Sequence, residues 1–168
     1  MGQYTLQNAD KPDFPEREPF PNNSVYEAVI LSCDEQESRW PVNDDEPDGP
    51  KKMQLSFKFE VIDPEEKFDK RWVWGNCSAY LSTEPRNKLR QWTQGIMDMD
   101  VLPEGYILDT DEFVGRQARI VIGAKERANG NGISNFVVEV RPTRTAEPMT
   151  PAKFRAQQQQ DEEEPDPF

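Results

Sequence analysis

An eleven-residue alternation constrains the fold of this chain more than any other feature. Residues 52–62 read KMQLSFKFEVI, and every second residue is apolar, namely Met53, Leu55, Phe57, Phe59 and Val61. A side-chain period of two belongs to a β-strand that turns one face toward a core. The sequence therefore predicts a chain built on a β-sheet.

Four further segments have the composition of strands, rich in β-branched and aromatic residues and bounded by turn residues. They are residues 24–33 (SVYEAVILSC), 71–82 (RWVWGNCSAYLS), 116–126 (RQARIVIGAKE) and 133–142 (ISNFVVEVRP). A helix is predicted after the third strand, where Leu89, Trp92 and Ile96 recur at helical spacing. Ser82 or Thr83 is expected to cap this helix, and Trp92 is expected in the core.

The resulting element order, β-β-β-α-β-β, is that of the OB-fold, a small and partly open five-stranded Greek-key barrel. We therefore expect a mainly β, OB-fold-like barrel. An open α+β sheet and a β-sandwich with an inserted helix are the alternatives.

The domain organisation follows from where this periodicity starts and stops. Residues 1–23 are rich in Pro, Asn and Asp and predict an N-terminal arm, a candidate for self-association. Residues 24–142 form the predicted domain, within which the acidic, proline-bearing stretch to Pro50 predicts a long hairpin loop. Residues 143–168 are predicted to be a disordered tail.

The net charge of −12 is unevenly distributed. Residues 34–48 hold seven acidic residues against Arg39 alone, and residues 161–168 hold five acidic residues and no basic one. Residues 51–155 hold seventeen Lys and Arg against fifteen Asp and Glu, a balance of +2. The predicted folded body can therefore carry a basic face despite the acidic total.

Composition narrows the function classes. The chain has no histidine and two cysteines, Cys33 and Cys77, so Ser-His-Asp and Cys-His catalytic sites and His-based zinc sites are excluded. Both thiols are expected to be buried in strands. No Asp/Glu pair stands out from a solvated charged surface, so we expect no enzyme, cofactor or metal. With no apolar run of membrane-spanning length and no signal segment, we expect a cytoplasmic protein.

Aromatic and cationic residues are interleaved on the predicted second to fourth strands. Stacking planes beside phosphate-tracking cations are what binding of a single nucleic-acid strand requires. The candidate nucleic-acid-binding residues are Lys51, Lys52, Lys58, Lys70, Arg71, Trp72, Trp74, Tyr80, Arg119, Lys125 and Arg127.

Trp72 and Trp74 are the predicted stacking platform. They alternate with the smaller apolar face of the third strand, and core packing is the alternative for either ring. Arg71, Lys58 and Lys125 are predicted to lie nearest the nucleic-acid backbone. Arg119 and Lys125 fit a solvated strand face equally well.

The run from YEAVILSCDEQES through MQLSFKFEVI, RWVWGNCSAYLS and NKLRQWTQGIM to DEFVGRQARIVIGAKERANGNGISNFVVEVRP resembles a family of bacteriophage OB-fold proteins. The likeness covers roughly residues 26–142 and rests on element order and spacing. The acidic insertion after the first strand departs from the simplest family pattern. Members of the family are thought to bind single-stranded DNA, so the resemblance implies this function, in phage replication or recombination.

The chain end QQQQDEEEPDPF is similar to the acidic tip of bacterial single-stranded DNA-binding proteins, which ends in Pro-Phe. The resemblance implies recruitment of replication or recombination proteins. The residues implied in partner binding are Asp161, Glu162, Glu163, Glu164, Asp166, Pro167 and Phe168. An additional Asp before the last two residues departs from the family spacing.

Other function classes remain open. A strongly acidic chain can act as a DNA mimic that occupies a host nucleic-acid-binding enzyme. The same barrel can also serve as a protein-interaction module or bind an oligosaccharide.

Overall fold

The structure, a computed structural model, describes residues 18–128, 130 and 132–163, without the side chains of the last two residues. The elements are β1 Ser24–Pro41, β2 Lys51–Ile62, β3 Trp72–Ser78, α1 Lys88–Met97, β4 Gln117–Glu126, β5 Ile133–Arg141 and α2 Pro151–Glu163. A 3-10 turn, Thr110–Glu112, precedes β4. The predicted mainly β class and the order of the first six major elements are confirmed.

The five strands form one antiparallel sheet with the order β3-β2-β1-β4-β5. β1 is the shared strand: residues 24–29 pair with β4, and almost its full length pairs with β2. A register shift between Ile30 and Ser32 marks the place where the pairing with β4 has ended. β1 therefore joins the two halves of the sheet.

The core lies on one face of the sheet and is closed by α1. The predicted alternation on β2 is confirmed for Leu55, Phe57, Phe59 and Val61, which are all buried. Met53 shares their face but is 39% exposed because it lies beyond the core, next to the hairpin end. The apolar stripe of α1 is also confirmed, and its Trp92 is 1% exposed.

The edge strands β3 and β5 approach each other at Gly75. A Cβ added there would lie 2.9 Å from the Cβ of Val137 on β5 and 2.6 Å from the Trp92 ring. Only glycine leaves room for this contact. The sheet nevertheless has no hydrogen-bonded ladder between β3 and β5 over the described residues.

The acidic stretch after the first predicted strand is mostly strand, so the expected long loop is corrected. β1 continues to Pro41 and pairs with β2 through Glu37 and again at Pro41, with a register shift between the two. The turn occupies residues 42–50 and is closed by a 2.9 Å hydrogen bond from Val42 N to Pro50 O. This end of the hairpin projects past β3 and β4 as a two-stranded ribbon. Charged side chains suit it because both of its faces meet solvent, and Pro41 is tolerated on its free edge.

Asn87, rather than Ser82 or Thr83, caps α1. Its side-chain oxygen accepts a hydrogen bond from Arg90 N at 2.8 Å, and its amide nitrogen donates to Tyr80 O at 3.0 Å. The third strand also ends at Ser78, earlier than predicted. Asn87 thus connects the end of β3 to the start of α1, in a turn that Ser82 also supports by accepting a hydrogen bond from Glu84 N.

The last residues of the predicted arm are packed against the domain, which differs from the expectation. Phe20 is 1% exposed and stacks on Phe68, with ring centres 4.5 Å apart. Its backbone exchanges hydrogen bonds with the Asn135 side chain, 2.9 and 3.0 Å long. Lys67 pairs with Glu18 at 2.8 Å. Residues 18–23, here the strap, thus connect the β2–β3 loop to β5.

The chain after β5 is ordered as far as Glu163, which corrects the predicted disordered tail over residues 143–163. Residues 143–149 lie against the sheet through Glu27 on β1 and Gln117 on β4. The Gln117 side chain donates to Glu27 at 3.1 Å and to Thr145 at 2.8 Å, and it accepts from Met149 N at 2.9 Å.

Three further contacts hold the C-terminal segment in place. Glu27 accepts hydrogen bonds from the Thr143 hydroxyl at 2.7 Å and from Arg144 N at 2.8 Å. Phe154 on α2 covers Gly115, where an added Cβ would lie 2.6 Å from the Phe154 Cβ. Gly115 also has a φ of 91°, which favours glycine.

None of the helices in the described part of the chain is long and apolar enough to span a membrane.

Candidate nucleic-acid interface

Trp72 and Trp74 both lie on the face of the sheet opposite the core. They alternate with buried Val73, Gly75 and Cys77, so the pleat directs both indoles outward. Each is 49% exposed, and their ring centres are 6.2 Å apart with the planes at 85°. Two large aromatic rings are thus available to a ligand on one strand.

Lys58 and Glu60 on β2 face the same side and set the position of Trp72. Lys58 Nζ lies 3.4 Å from the centre of the Trp72 ring, a cation–π contact. The Trp72 indole N–H donates to Glu60 Oε2 at 3.2 Å. Lys58 is also the β2 partner of Trp74. A cation therefore lies directly beside the aromatic pair, as the sequence predicted.

Lys70 and Arg71 border a pocket of about 400 Å³ together with Glu60, Trp72 and Trp74. Lys70 is exposed and adopts a positive φ of 64°. The Arg71 guanidinium lies over the Phe20 ring at 4.6 Å and donates to Glu18 O of the strap. Of the two, Lys70 is the cation with its charge turned to solvent, whereas Arg71 is engaged with the strap.

Lys51, Lys52 and Tyr80 lie away from the tryptophan pair. Lys51 and Lys52 begin β2, seven and six residues before Lys58, which places them about 20 Å or more along the strand. Lys51 donates to Pro47 O in the hairpin turn. Tyr80 is 67% exposed but follows the end of β3. The structure does not bring these three predicted residues into the same site.

Arg119, Lys125 and Arg127 lie on or after β4, on the far side of β1 from the tryptophans. Arg119 donates through Nε to Pro142 O at 2.8 Å. Lys125 and Arg127 are exposed at the β4–β5 hairpin, where Arg127 N donates to Gly132 O at 2.9 Å. The β4–β5 hairpin and the β2–β3 loop both contact the strap. The hairpin therefore lies at the same end of the sheet as Lys70.

The predicted partner-binding residues fall at the edge of what the structure describes. Asp161, Glu162 and Glu163 belong to the last turn of α2. Glu164, Asp166, Pro167 and Phe168 lie outside the described residues.

The two thiols lie on the core side of the sheet. Cys77 is buried and Cys33 is half-buried, which is less than predicted for Cys33. Burial raises the pKa of the Cys33 thiol to about 12 and that of Cys77 to about 11. Both groups are therefore protonated at neutral pH. No cluster of three or more His, Cys, Asp or Glu suited to a metal occurs among the described residues.

Sequence reasoning missed the polar cluster around Glu27 and Gln117. The hydrogen bonds of Glu27 join residues 90 to 117 positions apart, and those from Gln117 to Thr145 and Met149 join residues 28 and 32 positions apart, so no local periodicity reveals the cluster. The available signal was a glutamate and a glutamine at outward positions of two strands, each beside apolar residues.

A scan against protein-family models finds no match for this chain, and a search of curated proteins finds none either.

Proposed function

We propose that this protein binds single-stranded DNA with little sequence preference across the outer face of β2 and β3. The observation that carries the proposal is the half-exposed pair Trp72 and Trp74 with Lys58 between them on the neighbouring strand. Aromatic planes stack on any base and cations follow any phosphate, so this chemistry favours a strand over a particular sequence.

The strand arrangement supports an OB-type barrel beneath this face. β1 is shared between β2 and β4, α1 lies between β3 and β4 in the chain, and the edges β3 and β5 meet at Gly75 and Val137. OB barrels bind oligonucleotides across the strand 2–3 face. In this proposal, Trp72, Trp74 and Lys58 occupy that face.

Base stacking on Trp72 competes with the Lys58 contact already present. A cation–π contact at an exposed site contributes about 0.5–1 kcal/mol, whereas a stacked base contributes about 1–3 kcal/mol. The exchange favours the base. The displaced ammonium then becomes available to a phosphate, so Lys58 contributes to both states.

The biological setting in the proposal is phage replication or recombination, supported by the family resemblance and by the chain end. The acidic tip with its terminal Pro-Phe would recruit replication or recombination proteins. Many copies along one DNA strand would raise the effective concentration of a weak individual contact. Phe168→Ala, which keeps the charge of the tip, is expected to abolish recruitment and leave the DNA affinity unchanged.

Fluorescence anisotropy with labelled oligo-dT at low and moderate salt tests the proposal. We expect binding at micromolar protein or below, weakening steeply as salt rises because phosphate contacts release counterions. A duplex of equal length serves as the comparison. Absence of oligo-dT binding at micromolar protein in low salt would refute the proposal, and equal duplex binding would refute single-strand preference.

A second candidate function is that of an acidic decoy for a host nucleic-acid-binding enzyme. The observation that favours it is the projecting β1–β2 ribbon, which carries an exposed Trp40 among the acidic residues of positions 34–48. A decoy would release labelled DNA from such an enzyme without binding DNA itself. The anisotropy experiment therefore separates the two functions.

A further inference from the structure

Residues 143–154 lie on the same face of the sheet as Trp72 and Trp74, on the opposite side of β1. The row of neighbouring residues across this face is Trp72 on β3, Glu60 on β2, Val29 on β1 and Gln117 on β4. Gln117, at the far end of the row, holds Thr145 and Met149. The tryptophans and this C-terminal segment therefore border one strip of β1 and β2.

The segment is fixed at three places. Glu27 binds Thr143 and the backbone of Arg144, Gln117 binds the backbone of Met149, and Gly115 receives Phe154. Gly115 lies in the turn just before β4. The segment thus runs from Glu27 past Gln117 to the start of β4 as a continuous ridge.

We infer that residues 143–154 form the second wall of the single-strand groove and that Arg144 binds phosphate there. This inference rests on the proposed DNA-binding function. The outer residues Glu60 and Ile62 of β2 and Val25 of β1 form the floor, and the tryptophans form the first wall. Ile62 is 37% exposed and Val25 is 43% exposed, whereas Val29, the β1 partner of Gln117, is buried.

The two walls favour a single strand. From β3 to β4 the row spans three strand spacings of about 4.8 Å, or about 14 Å between backbones, and side chains from both walls reduce this distance. A duplex keeps its bases stacked on one another, so it cannot place a base on Trp72 or Trp74 without the cost of unstacking it. One strand can lie along the floor with its bases on the tryptophans and its phosphates toward the ridge.

Arg144 is the cation that the ridge presents. Its backbone N–H is held at 2.8 Å by Glu27 Oε1, while its side chain is exposed. Over the described part of the chain, its guanidinium has no hydrogen bond or ion pair, in contrast to Arg119, which donates to Pro142 O. Lys70 lies at the same level of the sheet as Glu27, across β2. Glu27 pairs with Ile62 on β2. The preceding residue, Val61, donates its N–H to the carbonyl of Arg71, which follows Lys70. A strand in the groove thus has Lys70 on one side and Arg144 on the other.

The test compares Arg144→Gln with Arg86→Gln in the oligo-dT titration across a salt series. Arg86 is an exposed cation in the turn before α1, so its substitution makes the same charge change outside the groove. We expect Arg144→Gln to weaken binding of all oligonucleotides alike and to lower the salt slope by about 0.7, the loss of one phosphate contact on a single strand. Arg86→Gln should leave the slope unchanged.

A second measurement detects proximity directly. Arg144→Cys and Arg86→Cys are labelled with a maleimide photo-crosslinker, since the protonated native thiols react slowly. Irradiation with oligo-dT should crosslink the label at position 144 and not that at position 86. The inference about residues 143–154 would be wrong if the wild type binds oligo-dT, both Gln variants have the same salt slope, and the label at position 144 forms no crosslink. The proposed DNA binding would still stand in that case. Failure of the wild type to bind would instead remove the proposed function itself.

Discussion

Exposed tryptophans lie near both ends of the β1–β2 hairpin, but their surroundings differ. At the projecting end, Trp40 is 60% exposed, lies 5.1 Å from the Arg39 guanidinium and is surrounded by acidic residues. At the end inside the sheet, β2 supplies Lys58 and Glu60 to the half-exposed Trp72 and Trp74 of β3. The exposure of the rings therefore does not distinguish the two ends. What distinguishes the sheet end is that it has two rings, a cation fixed beside them and a sheet behind them.

The largest expected effect comes from removing the rings at the sheet end. Trp72→Ala with Trp74→Ala should lower the oligo-dT affinity by about 1–3 kcal/mol for each base that loses its stacking partner. The melting temperature should change little because both rings lie outside the core. Trp40→Ala is the matched control and should bind DNA like the wild type. The comparison fails if Trp40→Ala costs as much as the double variant, or if the double variant unfolds.

A glycine pair extends the comparison to stability. Gly75→Ala places a Cβ 2.6 Å from the Trp92 ring and 2.9 Å from Val137, so overpacking should destabilise the protein by about 1–3 kcal/mol. Gly49→Ala, in the turn of the projecting ribbon, meets only Glu46 at 3.0 Å or more and should cost less. Urea unfolding measures both. Equal costs would mean that β3 and β5 are not tightly packed at Gly75.

The thiols report on the core at the sheet end. In an unfolded chain a thiol loses its proton near pH 8.5, whereas the folded pKa values are about 12 for Cys33 and about 11 for Cys77. Above pH 8.5 the unfolded state therefore binds fewer protons, and the free energy of unfolding should fall until the folded thiols also ionise. Below pH 8.5 the two thiols contribute no pH dependence.

Urea titrations at pH 8 and pH 10 measure this change, with Cys33→Ser and Cys77→Ser as the comparison. Both variants should lose part of the decline between the two pH values. A decline of the same size in the variants would assign it to other groups.

The smallest effect is expected from the acidic charges of the ribbon. Removing four acidic charges from the ribbon turn should change the oligo-dT affinity by less than about twofold at 0.1 M salt. The variant converts Asp44, Asp45, Glu46 and Asp48 to their amides. The turn lies roughly 20 Å or more from the tryptophans by strand length, beyond the screening length of about 10 Å. Anisotropy measures the change. A large gain in affinity would mean that the ribbon folds over the groove.

Local patterns predicted the parts of this molecule that depend on neighbouring residues. The alternation on β2 and β3 correctly separated the buried residues from Trp72 and Trp74, and helical spacing placed Trp92 in the core. Those assignments need only the period of a strand or a helix.

Parts that depend on distant residues were not predicted. Phe20 enters the core by packing on Phe68, and the segment after β5 is held by Glu27 more than a hundred residues away. The extension of β1 was missed because acidic residues disfavour a sheet interior but not a ribbon that meets solvent on both faces. The contact of Arg71 with DNA stays a prediction, and its contacts with the strap were not predicted.

The most direct test of the central claim is an NMR titration of the four tryptophan indole N–H signals with oligo-dT. The rings differ in place: Trp92 is buried, Trp40 lies at the ribbon end, and Trp72 and Trp74 lie on the proposed face. We predict that the Trp72 and Trp74 signals shift as oligo-dT is added and that both shifts fit one binding curve. The Trp40 and Trp92 signals should not shift. A shift confined to Trp40, or no shift of Trp72 and Trp74 under conditions where anisotropy shows binding, would contradict the account.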